Sequence, residues 1–246
     1  MYEGLAEVYD LLTDDIDADD WYAFHLGLLS RAGVTARESV CDVACGTGAM
    51  TLRLAGDFRR VTAVDISADM LRQAQEKARR QGADVRFVRQ DIAQLALPSP
   101  VEAMVCANDG VNYLETPARA MSFFKHAAAA LKPGGALVFD VSSPHKLRNV
   151  LGDNMLFEER EEVAYLWKNT WDAEKRTVRM DITLFLRDDD GRYRRREETH
   201  VQRAHTEDEL HAWLAAAGFS AEIYGDRALR PPMANDRRWF IAARRR

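Results

Sequence analysis

Residues 41–50 read CDVACGTGAM, an apolar run that breaks into glycines and small residues just after an acid. Small residues at the end of a strand let the backbone approach a ligand closely, so this stretch predicts a strand that ends in a binding loop. Outward from it, short apolar runs recur at 39–44, 61–65, 85–91, 101–108 and 136–142, and predict five strands. Helical patterns lie between them. Ser67 caps a helix with Met70, Leu71, Ala74 and Ala78 on one face. Thr116 and Pro117 open another, which stops at KPGG, residues 132–135. Alternation at this spacing implies βαβ units with right-handed crossovers. The fold class is therefore α/β, with a Rossmann-like, mostly parallel sheet and helices on both faces.

Near residue 150 the pattern changes. Residues 161–171, 175–187 and 193–205 are long, laced with charge and partly alternating, as antiparallel strands with one solvated face are. DDDG at 188–191 fits no EF-hand register and reads as an Asp-Gly hairpin turn. Helical period returns at 206–219, where Thr206 and Glu209 form a capping box and Gly218 ends the helix. Residues 220–225 and 237–244 supply two closing strands, making seven in the main sheet. One domain over 1–246 is expected, with a helical cap at 1–35 and an antiparallel insertion at about 150–205.

The 246 residues carry a formal net charge of −5, which provides no global basic field for gripping nucleic acid. The arginines at 192–196 and 244–246 read as a solvated face and a tail. Cys41, Cys45 and Cys106 lie in or beside apolar runs and form no CxxC pair, so buried, reduced thiols are expected. No signal-like N-terminus and no run of 18 apolar residues occurs, which points to a cytoplasmic protein without a membrane span.

Two dinucleotide templates fit the glycine loop poorly. G-x-G-x-x-G falls on Ala44, Gly46 and Ala49, keeping one glycine, and G-x-G-x-G falls on Ala44, Gly46 and Gly48, keeping two. Asp65 ends the second strand, where an acid accepts ribose hydroxyls of any adenosine cofactor. Asp42 stands where a pyrophosphate would be repelled, whereas a cofactor with positive charge and no phosphate is welcome there. Asp91 can accept from an adenine amino group while Ile92 packs on the ring. S-adenosylmethionine, with its ammonium, sulfonium, ribose and adenine, uses all three acids. Asp65, at a strand end, is expected to be accessible to solvent in the empty protein.

The same residues carry a family resemblance. VCDVACGTG, VDIS, QDI and LKPGGALVFDV, in order across residues 39–142, resemble the motifs of class I S-adenosylmethionine-dependent methyltransferases. LAEVYDLL at 5–12, followed by Trp21, is similar to a small bacterial subgroup whose N-terminal helices fold over the cofactor. The insertion after the fifth strand is similar to that of small-molecule methyltransferases, amino-sugar and glycine N-methyltransferase types among them. The resemblance implies that Asp42, Ala44, Cys45 and Gly46 surround the methionine moiety, and that Asp65 holds the ribose. It implies that Ile66 packs on adenine, that Asp91 and Ile92 read its edge, that Asn108 lies near the reacting methyl, and that Tyr9 and Trp21 close the pocket. Ala44 stands where glycine is usual, a mild change. Gly48 reads as a packing glycine and Met70 as core, while the helical spacing of Trp21 with Phe24 and Leu28 suits core packing equally.

Methyl transfer from a sulfonium is a direct displacement that asks the protein mainly for alignment, so no catalytic dyad is required. After the fourth strand the chain has NDGVNYL, not the Asn/Asp-Pro-Pro-aromatic loop common in enzymes that methylate base or glutamine amines. A small-molecule acceptor is preferred over nucleic acid. Its candidate contacts are Tyr113 and, on a strand of the insertion, His200, Gln202 and Arg203, with the insertion walling the acceptor side. The rival readings are an RNA- or protein-directed methyltransferase using the arginine clusters, and a nicotinamide-dependent oxidoreductase.

Overall fold

The apolar runs pair into the expected parallel sheet. In the computed structural model, which describes residues 4–14 and 17–246, β1 (Ser39–Val43) is central and buried at every position. It pairs with β2 (Arg60–Asp65) on one side and β4 (Val101–Cys106) on the other, while β3 (Val85–Arg89) extends the sheet beyond β2 and β5 (Leu131–Ser142) beyond β4. Continuous apolar runs suit strands covered on both faces. Here α2 (Ala18–Arg31) and α3 (Ala49–Asp57) bring Leu28, Leu29, Met50 and Leu54 against Val40, Val105 and Val138. On the other face, α5 (Pro117–Ala130) and α6 (Glu207–Ala216) bring Phe123, Phe124, Leu210 and Leu214 against Met104, Phe139 and Ile241. α4 (Ala68–Gln81) begins where the Ser67 hydroxyl accepts the N–H of Met70, and α6 carries the expected capping box.

Three strand ends differ from expectation for local reasons. β3 stops at Arg89 because Asp91 caps a short helical turn at Ile92–Gln94. β4 stops at Cys106 because Asn108 and Asp109 take left-handed φ values of 57° and 54°. β5 begins at Leu131, which pairs with Val101; KPGG then bulges, with Gly134 at φ 75°, before pairing resumes between Ala103 and Ala136. Cys41, Cys45 and Cys106 are buried free thiols.

After β5 the chain builds a separate antiparallel sheet, β6 (Met155–Glu159), β7 (Val163–Asp172), β8 (Thr177–Arg187) and β9 (Tyr193–Arg203), in sequential order. The turn at 188–191 is a hairpin closed by the Gly191 N–H on the Asp188 carbonyl, 2.9 Å. Val163, Ile182, Leu184 and Leu186 form an apolar face that receives Leu5, Val8, Leu11 and Leu12 of α1 (Leu5–Leu12). β10 (Phe219–Gly225) and β11 (Arg238–Arg245) close the main sheet in the order β10-β11-β5-β4-β1-β2-β3, with β11 antiparallel to both neighbours. No helix among the described residues is long and apolar enough to cross a membrane.

Candidate functional site

A pocket opens at the C-terminal ends of β1, β2 and β4, the edge at which open α/β sheets bind ligands. Its floor is the glycine loop. Ala44, Gly46 and Gly48 all have positive φ (55°, 54° and 86°), which turns the chain sharply off β1 into α3. A Cβ on Gly48 would lie 2.9 Å from the Cβ of Ala74, so this glycine lets the loop touch α4. A Cβ on Gly46 would meet nothing within 4 Å, leaving open space for a ligand over the loop.

Asp42 lies beneath the loop, buried, with its carboxylate accepting the Thr51 hydroxyl at 2.5 Å. Burial pushes its carboxyl up to about 7, the Thr51 bond opposing and the charge of Asp65 adding to the rise. Asp65 departs from expectation. It is buried rather than solvent-accessible, and its two oxygens accept the N–H groups of Gly46 and Ser67, each at 2.8 Å. Burial raises its carboxyl too, against those backbone bonds. Its removal would therefore strip the glycine loop of a partner, which a strand-end acid facing water would not do. Asp91 caps Ala93 at 2.9 Å and is held by the Arg119 guanidinium at 3.0 and 3.1 Å.

Beneath Asn108, buried Asp140 accepts the N–H groups of Asn108 (2.8 Å) and Asp109 (3.0 Å) and the guanidinium of Arg238. His25 Nε2 lies 3.3 Å from the same carboxylate. Burial alone would raise this acid, yet Arg238 and His25 hold it down at about 2. Asn112 ties the next turn by donating to the carbonyls of Ser142 (3.1 Å) and Arg203 (2.9 Å). Sequence reasoning missed both. The available signal for Asp140 was an acid inside the otherwise apolar run ALVFDVS.

Tyr9, Asp42, Ala44, Cys45, Gly46, Asp65, Ile66, Asp91, Ile92 and Asn108 all line this pocket, and Tyr113 joins them. Met70 lines it as well while remaining core. Trp21 does not. It borders a smaller adjoining cavity with Tyr9 and Thr13, packs edge-on against Phe240 at 5.4 Å, and lies under the guanidinium groups of Arg227 and Arg238. His200, Gln202 and Arg203 are buried on β9 and are not part of the lining. The His200 ring meets the ring of Tyr113 edge-on, at 6.1 Å between centroids. The Arg203 guanidinium is taken by Glu209 and His205, so this residue supports the wall with its carbonyl rather than facing a ligand with its charge.

The residues fit an adenosyl cofactor that carries positive charge. Among the described residues, four acids, Asp42, Asp65, Asp91 and Glu115, line the pocket against one cation, Arg119, which Asp91 already engages. Asn108 Oδ1 is buried with no hydrogen-bond partner among the described residues, an acceptor awaiting a donor. Each oxygen of Asp65 accepts one backbone bond and retains capacity for a hydroxyl. Ile66, 48% exposed beside them, offers an apolar surface for a ring.

The sequence model of a methyltransferase domain matches residues 40–135. The "Putative methyltransferase" of Geobacillus sp. (strain WCH70) is 33% identical over 99% of both chains. The dTDP-3-amino-3,6-dideoxy-alpha-D-glucopyranose N,N-dimethyltransferase of Streptomyces fradiae is 26% identical over 90% of this chain and 86% of its own. Among solved structures, an S-adenosylmethionine-dependent methyltransferase from Clostridium acetobutylicum superposes with a TM-score of 0.90 at 30% identity, covering 99% of this chain and 98% of that one.

Proposed function

The chain belongs to the S-adenosylmethionine-dependent methyltransferases, and from that premise we propose that it methylates a small polar molecule by direct displacement. S-adenosylmethionine supplies the electrophilic methyl on a sulfonium when bound. The chain's own residues bind, orient and exclude water. Asp42 and the Asn108 amide oxygen receive the ammonium of the methionine moiety, Asp65 the ribose hydroxyls, and Asp91 the adenine amino group. Ile66 and Ile92 clamp the ring. Tyr9, carried on α1, covers the pocket, and Tyr113 faces the acceptor. Alignment of this kind contributes up to about 7–11 kcal/mol in favourable cases, without a general base.

The observation that carries the reading is the acidic lining, which favours a cation and disfavours a pyrophosphate. A small acceptor is supported by likeness to the Streptomyces fradiae enzyme and by the ion pairs of the arginine run at 192–196. Arg192 pairs with Asp190, Arg194 with Asp188 and Glu7, and Arg195 with Glu197, so the run offers little net charge to a phosphate backbone. A thermal-shift titration tests the cofactor: S-adenosylhomocysteine should stabilise the protein and NAD should not. Greater stabilisation by NAD would overturn the assignment. Labelled S-adenosylmethionine, incubated with fractionated metabolites, then identifies the acceptor.

A further inference from the structure

Glu198 lies outside the pocket, yet its carboxylate links the start of α1 to His200 on β9. One oxygen accepts the N–H groups of both Gly4 and Leu5, each at 2.8 Å, at the start of α1. The other stands 3.1 Å from Nε2 of His200, whose ring meets Tyr113 edge-on. The Glu198 side chain is only 6% exposed, so these are desolvated, charge-assisted bonds, and a carboxylate at a helix N-terminus is favoured further by the helix dipole. Gly4 is built for the contact: a Cβ there would lie 2.9 Å from Cβ and Cγ of Arg196 on β9. Farther along α1, Tyr9 lines the pocket, while Asp10 accepts the Thr47 hydroxyl of the glycine loop at 2.5 Å and pairs with Lys77 of α4.

α1 is eight residues long, too short to be helical on its own in water. Its position is set by what holds it. The apolar contact with the insertion fixes its face but does not by itself fix its register along the axis; directional contacts do, those of Glu7 with Arg194, Asp10 with Thr47 and Lys77, and the Leu11 carbonyl with Arg160 along its length, and the two Glu198 bonds at its first turn. We propose that Glu198 is a positioning residue that registers α1 on the insertion, and thereby sets Tyr9 over the cofactor pocket in concert with Tyr113 on the acceptor side. The proposal rests on the methyltransferase reading above. Through Glu198, cofactor affinity depends on a residue that touches no cofactor, and the insertion becomes a part of the cofactor site.

The test measures S-adenosylhomocysteine binding by calorimetry and amide exchange across residues 4–12, for the unaltered chain and for E198A, E198Q and E197A. E198A should weaken binding about tenfold or more and speed exchange at 4–12, while amides of β1 and β4 stay protected. E198Q keeps an oxygen for the two N–H groups but loses the charge, so it should recover part of the loss. E197A removes an exposed neighbour paired with Arg195 and should change neither readout. Binding within twofold of the unaltered chain in folded E198A overturns the proposal, as does unchanged exchange at 4–12 in that variant. Global unfolding of E198Q would make the cluster a stability element and overturn it as well. Failure of the unaltered chain to bind S-adenosylhomocysteine overturns the functional reading and this proposal together, whereas binding that survives E198A overturns the proposal alone.

Discussion

Asp42 is the residue whose chemistry is most exposed to test. Burial holds its carboxyl at about 7, and an ammonium bound nearby favours the ionised form and lowers that value. Binding below pH 7 therefore releases a proton, and affinity for S-adenosylhomocysteine should rise with pH up to about 7, by as much as about tenfold per unit, then level off. Calorimetry between pH 5.5 and 8 in two buffers of different ionisation enthalpy should detect the released proton, and Asp42→Asn should abolish the slope. The sign for stability is opposite. A raised acid keeps its proton in the folded state, so its contribution is full below the ordinary carboxylate range and is lost as pH rises through about 7. At this scale the sequence was informative wherever a functional residue ends a strand. Asp42, Asp65, Asp91 and Asn108 each follow or close an apolar run, and all four line the pocket. What a strand end does not announce is what folds back onto it. The N–H of Gly46 reaches Asp65 from nineteen positions earlier in the chain, a contact that no local pattern encodes.

Elements were legible in proportion to their periodicity. The parallel strands carry long runs and α4, α5 and α6 explicit caps, whereas β6 is five residues of MLFEE, none fully buried and only alternate ones half-buried, too short and too exposed to read. The seat of α1 on the insertion was not legible, because the apolar face of α1 and the strand face that receives it are separated by more than 150 residues. The loop between β1 and α3 shows the same dependence on a distant partner. Gly48 has φ 86°, and its Cα faces Ala74 of α4 so closely that a methyl group would lie 2.9 Å from the Ala74 Cβ. Gly48→Ala should cost about 1–3 kcal/mol from crowding and left-handed strain together, and it should lift the loop away from α4, weakening S-adenosylhomocysteine binding. Adding Ala74→Gly removes the 2.9 Å contact but leaves the strain and a 3.3 Å approach to the Ala74 Cα, and a glycine inside a helix costs about 1 kcal/mol of its own, so urea unfolding of the double variant should show a loss smaller than the sum of the two single losses. Full additivity of the two single losses would show that the contact is not the cause.

For the molecule as a whole, the site and the fold share one buried carboxylate. Asp140 lies on β5, draws Arg238 from β11 and His25 from α2, and carries the N–H groups of Asn108 and Asp109 where the chain leaves β4. Tyr9 and Lys146 also feel this cluster, through Asp109 and Arg238. Removing one member of a buried ion pair strands the other, at a cost of about 3–5 kcal/mol. Asp140→Ala should therefore lower Tm by roughly 6–20 °C in a chain of this size. Because its carboxyl is held at about 2, the stability it contributes is present above the ordinary carboxylate range and lost as pH falls through about 2. The unaltered protein should accordingly lose stability between about pH 4 and pH 2 more steeply than the Ala variant. A double variant, Asp140→Leu with Arg238→Met, separates the two roles. Well-packed apolar replacements restore much of the stability of a buried pair, but they cannot accept the N–H groups that set Asn108. The double variant should regain part of the lost Tm while S-adenosylhomocysteine binding stays weak, and recovery of both together would show that the carboxylate serves the fold and not the site.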